Sequence, residues 1–401
     1  MSRAVARSGL LLLSLPILAA ACRRNPAGAP LAAPQQPFVF ERAFGGKRND
    51  AGHAVLETGD GGFLVTGYTA SQGAGGTDLW LIRTNGHGDT LWTRTLGGTA
   101  DDYGWDAEQT EDGGYVVVGF TASWGAGGDD VWLVRIDEDG DTLWTRTFGG
   151  RGDERAWALV PAGDGGWVIA GQAAAAEEEE DLDLFLLRTD AEGEAVWITS
   201  HSGPGVERVF DVVRAGDGGF VFAGSTSDSV GGARDVSLVR LDDDGMLSWQ
   251  RRFGGDGDEV AHGLEVTPEG GFLVVGYGEG GGSAGSDIYV IRVDADGREL
   301  WSRRSGEEGD DRALMVARSS AGGYVIAGYA STDAGDSDAY VVAIDEDGDP
   351  QWSERFGAAA NDRGMMVRET RDGAYVLTGG VGVVADEAWN VMLVKFRAGQ
   401  H

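Results

Sequence analysis

The sequence repeats itself seven times from residue 38 onward. Most units contain a turn of the form Asp-Gly-Gly followed by an aromatic residue and a short apolar run, as in EDGGYVVVGFT and GDGGFVFAGST. The second residue of this turn is a glycine in every unit, at intervals of 51 to 53 residues: Gly61, Gly113, Gly165, Gly218, Gly270, Gly322 and Gly373. So regular a period means that the chain builds one structural unit seven times.

Each unit contains four short runs that are typical of β-strands. In the second unit these runs cover about residues 105–110, 115–121, 131–137 and 142–148. They are rich in Val, Trp, Tyr and Thr and are bounded by Gly or Asp, whereas no window has a convincing helical period. Four strands in about fifty residues match one blade of a β-propeller. We therefore predict an all-β, seven-bladed β-propeller of four-stranded blades.

The two ends of the repeat region predict how the ring closes. The last unit lacks the outer run that reads LWTRTLGG in the first unit. A matching run, FVFERAFGG, occupies residues 38–46, with Phe40 in place of a tryptophan that recurs in the other units. The N-terminal strand should complete the last blade and remove the edges that an open sheet would expose. Residues 38–401 are predicted to form one propeller domain.

The segment GGTADDYGWDAEQTEDGGYVVVGFTAS resembles the bacterial seven-bladed β-propeller repeat of the DGG type. The resemblance covers residues 38–397. This family is often found in exported proteins and lipoproteins, so the resemblance implies the propeller fold and an extracytoplasmic location. It implies little about activity, which must be argued from the site.

The first 37 residues have the organisation of an export and anchoring signal. Arg3 and Arg7 precede an apolar stretch of 13 residues, so residues 1–21 are predicted to be a signal peptide. Cys22 follows three alanines and resembles the lipidated cysteine of a bacterial lipobox, although Ala19 stands where such motifs usually carry leucine. Ordinary secretion with a cut nearby is the alternative. Residues 22–37, rich in Pro and Ala, are predicted to be a tether.

Charge and cysteine content exclude several classes of function. The chain has 65 acidic and 32 basic residues, a formal net charge of −33, which would repel nucleic-acid phosphates. Its single cysteine excludes a disulfide framework and a cysteine-based metal site. The five histidines have no metal-ligand spacing, and no nucleophile elbow or phosphate-binding loop is present. No metal site and no cofactor are predicted.

Asp-rich turns keep Ca²⁺ open as an alternative. The hairpins before the outer strands read DEDGD at residues 137–141 and 345–349, DDDG at 242–245 and DADG at 294–297. Their glycine is at the fourth position, whereas a calcium loop has it at the sixth. A tight turn with glycine in a left-handed conformation is the simpler interpretation.

Three columns of the repeat are expected to serve packing. A large ring recurs in the outer run and should pack between neighbouring blades: Phe40, Trp92, Trp144, Trp197, Trp249, Trp301 and Trp352. An aromatic residue begins each second run: Phe63, Tyr115, Trp167, Phe220, Phe272, Tyr324 and Tyr375. A glycine within the second run is expected to leave bare backbone for a neighbouring ring: Gly67, Gly119, Gly171, Gly224, Gly276, Gly328 and Gly379.

Two further columns are acidic. One precedes each innermost run: Asp50, Asp102, Glu154, Glu207, Glu259, Asp311 and Asp362. The other opens each third run: Asp78, Asp130, Asp183, Asp235, Asp287, Asp338 and, as the exception, Asn390. In antiparallel blades both columns reach the same face, as two concentric sets. Either each carboxylate caps the backbone N–H groups of its own turn, or the columns form an electronegative face that binds cations or a basic partner.

Positions that depart from the repeat are better candidates for function. Asp106 and Asp211 lie in innermost runs where other units carry small or apolar residues. Trp105 and Trp157 occupy the preceding position of that run and are candidates for ligand binding. Trp124 is assigned to the connection between a second and a third run, and so is Trp389.

A tryptophan beside carboxylates suits a sugar-stacking subsite, and covering a blade edge is the alternative role for Trp124 and Trp389. Together these features predict an exported cell-envelope protein, an outer-membrane lipoprotein that is a monomer and touches the membrane only through its anchor. It would act as a binding or scaffold module for an envelope protein or a polysaccharide through its acidic face. The alternative is an endoglucanase-like glycoside hydrolase with carboxylates about 5 to 9.5 Å apart, for which Asp106 and Asp211 are the candidates.

Overall fold

A computed structural model describes residues 38–398, apart from residues 176–177, 202–205, 230, 280–284, 307–308, 332–334, 358–359 and 384–387. The predicted signal peptide, the lipidation site Cys22 and the tether lie outside the described residues. Seven four-stranded antiparallel sheets form the blades of a propeller, which confirms the predicted fold class. The described part of the chain contains no helix long and apolar enough to cross a membrane.

Each blade runs from an innermost strand to an outermost strand. The innermost strands are β2 (Asp50–Glu57), β6 (Asp102–Gln109), β10 (Asp153–Pro161), β14 (Glu207–Arg214), β18 (Glu259–Val266), β22 (Arg312–Arg318) and β26 (Arg363–Glu369). The second strands are β3 (Phe63–Thr69), β7 (Tyr115–Thr121), β11 (Trp167–Ala175), β15 (Phe220–Ser227), β19 (Phe272–Gly278), β23 (Tyr324–Ser331) and β27 (Tyr375–Val383).

The third strands are β4 (Asp78–Thr84), β8 (Asp130–Ile136), β12 (Glu178–Thr189), β16 (Arg234–Leu241), β20 (Asp287–Val293), β24 (Ser337–Ile344) and β28 (Ala388–Phe396). The outermost strands are β5 (Thr90–Leu96), β9 (Thr142–Phe148), β13 (Ala195–His201), β17 (Leu247–Phe253), β21 (Glu299–Ser305), β25 (Pro350–Phe356) and, from the N-terminal end, β1 (Phe38–Phe44). We number the blades 1 to 7 from β2 onward, so that β1 belongs to blade 7.

The ring closes as the sequence predicts. Strand β1 pairs antiparallel with β28, and blade 7 has the strand order β1-β28-β27-β26. Phe40 lies opposite Lys395 and is buried, with its ring centroid 5.9 Å from that of Phe63 in blade 1. The N-terminal strand therefore fills the outermost position of the last blade and contacts the first one.

Two strands begin earlier than predicted. Strand β6 begins at Asp102 because its backbone N–H donates to the Thr77 carbonyl of blade 1, 2.7 Å away, and the residue pairs with Thr121. Strand β28 begins at Ala388, so Trp389 pairs with Gly382 inside the sheet and is not part of the preceding connection.

Every innermost strand contains a β-bulge at the same position. The register against the second strand shifts at one residue in each blade: His53, Trp105, Trp157, Phe210, His262, Leu314 and Met365. A bulge adds one residue to a strand and turns its side chain out of the regular alternation. The sequence analysis singled out Trp105 and Trp157 of this column but did not predict the bulge.

The glycine column has a different cause from the predicted one. A Cβ on Gly67 would collide with the carbonyl oxygen of Ala51 in its own blade, and all seven glycines have the same relation to the residue two positions before the bulge. The bulge brings the innermost backbone so close that only glycine fits. The expectation of a neighbouring ring on bare backbone is therefore wrong.

The large rings of the outer strands pack between blades, as predicted. A Cβ on Gly140, in the hairpin of blade 2, would come within 3.0 Å of the Trp92 ring of blade 1. The same glycine has φ +82° and closes the turn, while Asp137 accepts the N–H groups of Asp139 and Asp141 at 3.0 and 2.8 Å. The Asp-rich hairpins are thus tight turns capped by their first aspartate, as the simpler interpretation has it.

Candidate functional site

The first acidic column lies inside the molecule. All seven of its side chains are at most 8% exposed. Asp102 shows the arrangement: it accepts the N–H of Gly98 at 2.8 Å, the hydroxyl of Ser123 at 2.7 Å and the hydroxyl of Thr121. Other members of the column accept hydrogen bonds from the preceding turn or from the second strand. Asp50, Glu154 and Glu259 accept turn N–H groups, Asp311 and Asp362 accept N–H groups of the second strand, and Glu207 accepts a threonine hydroxyl.

The two acidic columns meet in pairs at the junctions between blades. A Cβ on Gly97, in the turn that leads from blade 1 to blade 2, would run into the carboxylates of both Asp78 and Asp102. Burial raises the pKa of Asp78, and the neighbouring Asp102 charge raises it further. The arrangement matches the turn-capping interpretation: Asp102 accepts the N–H of Gly98, and Asp78 accepts that of Ala74 at 3.0 Å. Both carboxylates are buried and do not belong to exposed concentric sets.

Asp106 and Asp211 connect innermost strands of adjacent blades. Asp106 accepts the backbone N–H groups of Ala107 at 2.8 Å and of Leu159, in the next blade, at 3.1 Å. Asp211 accepts those of Val212 at 2.8 Å and of Leu264, in the next blade, at 2.7 Å. Burial raises the pKa of both, that of Asp211 to about 8. The geometry gives both carboxyl groups a structural role.

Arginines and aromatic rings line the entrance of the axial channel. They form two columns of facing residues, which we call the channel mouth. The innermost strands contribute Ala51, Tyr103, Arg155, Arg208, Val260, Arg312 and Arg363. The second strands contribute the residues paired with them: Tyr68, Phe120, Gln172, Ser225, Tyr277, Tyr329 and Gly380.

Four members of the first column pack over an aromatic ring of the preceding blade: Tyr103, Arg155, Arg312 and Arg363. The guanidinium carbon of Arg312 lies 4.1 Å from the ring centroid of Tyr277, and that of Arg363 lies 4.9 Å from Tyr329. Tyr103 meets Tyr68 edge-on, with 5.1 Å between ring centroids. Cation–π contacts of this kind are favourable at partly exposed sites, so the mouth is held in shape by stacking between blades.

The bulge residues form an aromatic belt below the mouth. The rings of His53 and Trp105 stack 3.7 Å apart, and Trp157 meets Trp105 edge-on at 4.5 Å. On the other side, Phe210 stacks on His262 at 4.4 Å. Burial lowers the pKa of His53 to about 4, so its ring is neutral and its Nδ1–H donates to the Gly104 carbonyl at 2.8 Å.

The mouth has a gap where blade 7 meets blade 1. Here the covering residue is Ala51 and the covered residue is Gly380, so both columns are small at the same junction. The result is a pocket of about 250 Å³, the axial pocket, with an aromatic and basic lining: Asn49, Ala51, His53, Tyr68, Trp105, Arg363, Met365, Gly380 and Trp389.

Trp389 forms one wall of the axial pocket. A Cβ on Gly380 would collide with its ring, so the ring lies against bare backbone. Arg363 lies between two rings, 5.3 Å from that of Trp389 and 4.9 Å from that of Tyr329. The pocket therefore offers aromatic faces and a guanidinium group at the opening of the channel.

The structure brings some of the predicted binding residues together. Trp389 and Trp105 line the axial pocket, and Trp157 lies next to Trp105 in the belt. Trp124 lies apart from the pocket lining: it is 49% exposed and its ring centroid is 5.3 Å from that of Trp132. Sequence reasoning missed Arg363, although the break in two columns at one junction was a signal available for it.

In the described part of the chain, neither a group of metal ligands nor a family model identifies this site. No group of three or more His, Cys, Asp or Glu side chains in the described part of the chain could hold a metal ion. No family model matches the chain. A stretch of 157 residues is 29% identical to the regulatory protein FlaEY of Caulobacter vibrioides, covering 33% of this chain and 16% of FlaEY. The match thus spans about a sixth of that relative's length.

Several solved structures are similar in fold. The Pan2 WD40 domain of Neurospora crassa is 10% identical, with a TM-score of 0.54 over 88% of this chain and 90% of that one. A protein of unknown function from Dyadobacter fermentans is 11% identical, with a TM-score of 0.54 over 91% and 100%. Puromycin hydrolase is 16% identical, with a TM-score of 0.55 over 86% and 52%. At these identities the similarity shows the propeller fold alone.

Proposed function

We propose that this protein is a binding module whose ligand enters the axial pocket, and that the ligand is a sugar residue of an envelope polysaccharide. The observation that carries the proposal is the combined gap at Ala51 and Gly380, which opens the mouth beside Trp389, Tyr68 and Arg363. Propellers commonly bind partners at the ends of the central channel, where loops and strand ends from several blades converge.

The chemistry of the walls favours a sugar ring. The rings of Trp389, Tyr68 and Trp105 line the pocket. His53 covers one face of Trp105 and the Gly380 backbone lies against Trp389, so a sugar would stack its C–H face on the ring surface that remains. A volume of about 250 Å³ admits one ring-sized group. The Arg363 guanidinium can donate to hydroxyl or carboxylate oxygens of the same group, because its donors form a fixed planar fork.

Binding to a panel of soluble oligosaccharides, measured by isothermal titration calorimetry, tests the proposal. In Trp389→Ala we expect affinity to fall at least about tenfold, a loss of about 1.4 kcal/mol, because one stacking face is removed. Trp124→Ala is the matched control and should bind as the wild type does. Ala51→Tyr is the sharpest variant, since it gives blade 1 the residue that blade 2 carries and should close the pocket while the protein stays folded.

Two outcomes would contradict the proposal. If Trp124→Ala lowered affinity while Trp389→Ala and Ala51→Tyr did not, the ligand would bind on the connection of blade 2. If no oligosaccharide of the panel bound the wild type, the sugar ligand would be refuted, and a side chain of an envelope protein would become the candidate for the pocket.

The same proposal places the propeller outside the cytoplasm on a lipid anchor at Cys22, as in the DGG-type family that the repeat resembles. The apolar stretch, the alanines before Cys22 and the Pro/Ala-rich residues 23–37 support it. Cells grown with a labelled fatty acid should yield labelled protein, and Cys22→Ser should yield none. Equal labelling of both would show that Cys22 is not the anchor, whatever the pocket binds.

A further inference from the structure

Three arginines converge at the mouth on the side opposite the axial pocket. They come from three strands: Arg208 from β14, Arg234 from β16 and Arg312 from β22. Their common neighbours are Tyr277 and His262, whose ring centroids are 5.7 Å apart. Burial and the charges of all three arginines lower the pKa of His262 to about 3, so these cations surround a neutral imidazole. We call these five residues the arginine cluster.

Two of the arginines have acidic partners and one does not. Arg234 donates from Nε to Asp258 at 3.0 Å, and Arg312 lies 3.8 Å from Asp310. Arg208 has no carboxylate partner among the described residues, and its buried Nε–H has no acceptor there. This is unusual in a chain with about two acids for every base.

The break in the repeat explains why Arg208 is left without a partner. Arg155, Arg312 and Arg363 each stack on an aromatic ring of the preceding blade. At the equivalent place beside Arg208 that blade carries Gln172, so no ring covers the guanidinium. Ser225, which pairs with Arg208 across the sheet, is buried, and its hydroxyl also has no partner among the described residues.

The belt below the mouth adds a further donor on the side of the cluster. The indole N–H of Trp157, whose ring centroid is 6.4 Å from that of Phe210, is buried and has no acceptor among the described residues. Buried donors without protein acceptors are costly, so a set of them around one opening favours the binding of an acceptor-rich group. Guanidinium groups bind carboxylate, sulfate and phosphate through paired N–H donors.

We infer that the arginine cluster is a second subsite of the mouth, separate from the axial pocket, and that it binds the anionic group of an acidic sugar unit of the same ligand. The inference deepens the proposed function, on which it rests, by specifying the class of sugar. The acidic sugar should be an isolated unit of an otherwise neutral polysaccharide, because the net charge of −33 would repel a chain in which every unit is anionic. Within a Debye length of about 8 to 10 Å the local arginines dominate the field.

Thermal unfolding of the full chain tests the inference. D-glucuronate should raise the unfolding midpoint more than D-glucose at equal concentration and ionic strength, because a bound ligand stabilises the folded state. Arg208→Gln should abolish the excess shift without lowering the ligand-free midpoint, since the guanidinium it removes is unpaired and close to two like charges. Arg251→Gln, on an outer strand beside Trp249, makes the same charge change and should keep the excess shift.

Other results separate this inference from the proposed function. If glucose and glucuronate act equally and Trp389→Ala removes both shifts, the pocket binds sugar and the anionic class is overturned. If Arg208→Gln lowers the ligand-free midpoint and keeps the glucuronate shift, Arg208 is structural and the inference is wrong. Inorganic phosphate is the third probe: an Arg208-dependent shift with phosphate alone would assign the cluster to phosphosugars. No Arg208-dependent shift with glucuronate or phosphate would overturn it.

Discussion

At the scale of single residues, the side chains that break the sevenfold repeat have the least ordinary environments. Asp211 is buried in an innermost strand, and burial raises the pKa of its carboxyl to about 8 against two backbone N–H donors that oppose the shift. Met366 stands at the same position of blade 7, where its sulfur lies 3.4 Å from the N–H of Val55. An aspartate and a methionine thus have the same role at this position, which is to accept a backbone N–H group of the next blade.

The Asp211 carboxyl should make stability depend on pH. Folded, it keeps its proton up to about pH 8, whereas the unfolded chain releases it near pH 4. Its contribution to the free energy of unfolding is therefore complete below about pH 4 and is lost as pH rises through about 8, by up to about 1.4 kcal/mol per pH unit. Urea unfolding of Asp211→Asn between pH 5 and 8.5 should show a weaker decline than the wild type.

The exposed Asp244→Asn is the control for this experiment and should decline with pH as the wild type does. In Asp211→Asn the amide nitrogen of the introduced asparagine replaces one of the two acceptor oxygens, which costs stability at every pH. The difference from the wild type should therefore be smaller at pH 8.5, where the wild type carries a buried charge, than at pH 5. A variant whose stability followed the wild-type curve at every pH would show that Asp211 is already ionised in the folded protein at neutral pH.

At the scale of the element, the bulge of each innermost strand and the glycine facing it form one device. The bulge turns His53, Trp105 and their equivalents toward the axis, where they stack as the belt. The close backbone approach that this requires excludes any side chain at Gly67 and its equivalents. The glycine column is therefore a consequence of how the propeller places its central rings.

Gly67→Ala should lower the free energy of unfolding by at least about 2 kcal/mol, because its Cβ meets a backbone carbonyl that cannot move without disrupting the bulge. Gly216→Ala is the matched control, since a Cβ there has nothing within 4 Å. That change should be neutral or stabilise by up to about 1 kcal/mol. Both can be measured by urea unfolding at pH 7, and equal effects would refute the account of the bulge.

At the scale of the whole molecule, the candidate binding sites lie where the seven similar blades differ from one another. Closure by β1 gives every blade a neighbour on both sides, so the large outer rings and the acidic pairs recur around the ring. The axial pocket arises where two small residues coincide, and the arginine cluster contains the guanidinium that no ring covers. An acidic protein can thus present basic groups at its centre, because its carboxylate columns are used in the turns between blades.

Much of this architecture could be predicted from the sequence, because it follows from local chemistry repeated seven times. The strand runs, the Gly-containing turns, the outer rings and the missing outer strand of blade 7 each leave a periodic mark that one sequence displays. The mouth could not be predicted in the same way. Which face Arg363 and Arg208 reach, and whether Asp102 is capped or exposed, depends on how each blade packs against the next, and contacts about 50 residues apart are set by register and bulges that the tertiary structure alone decides.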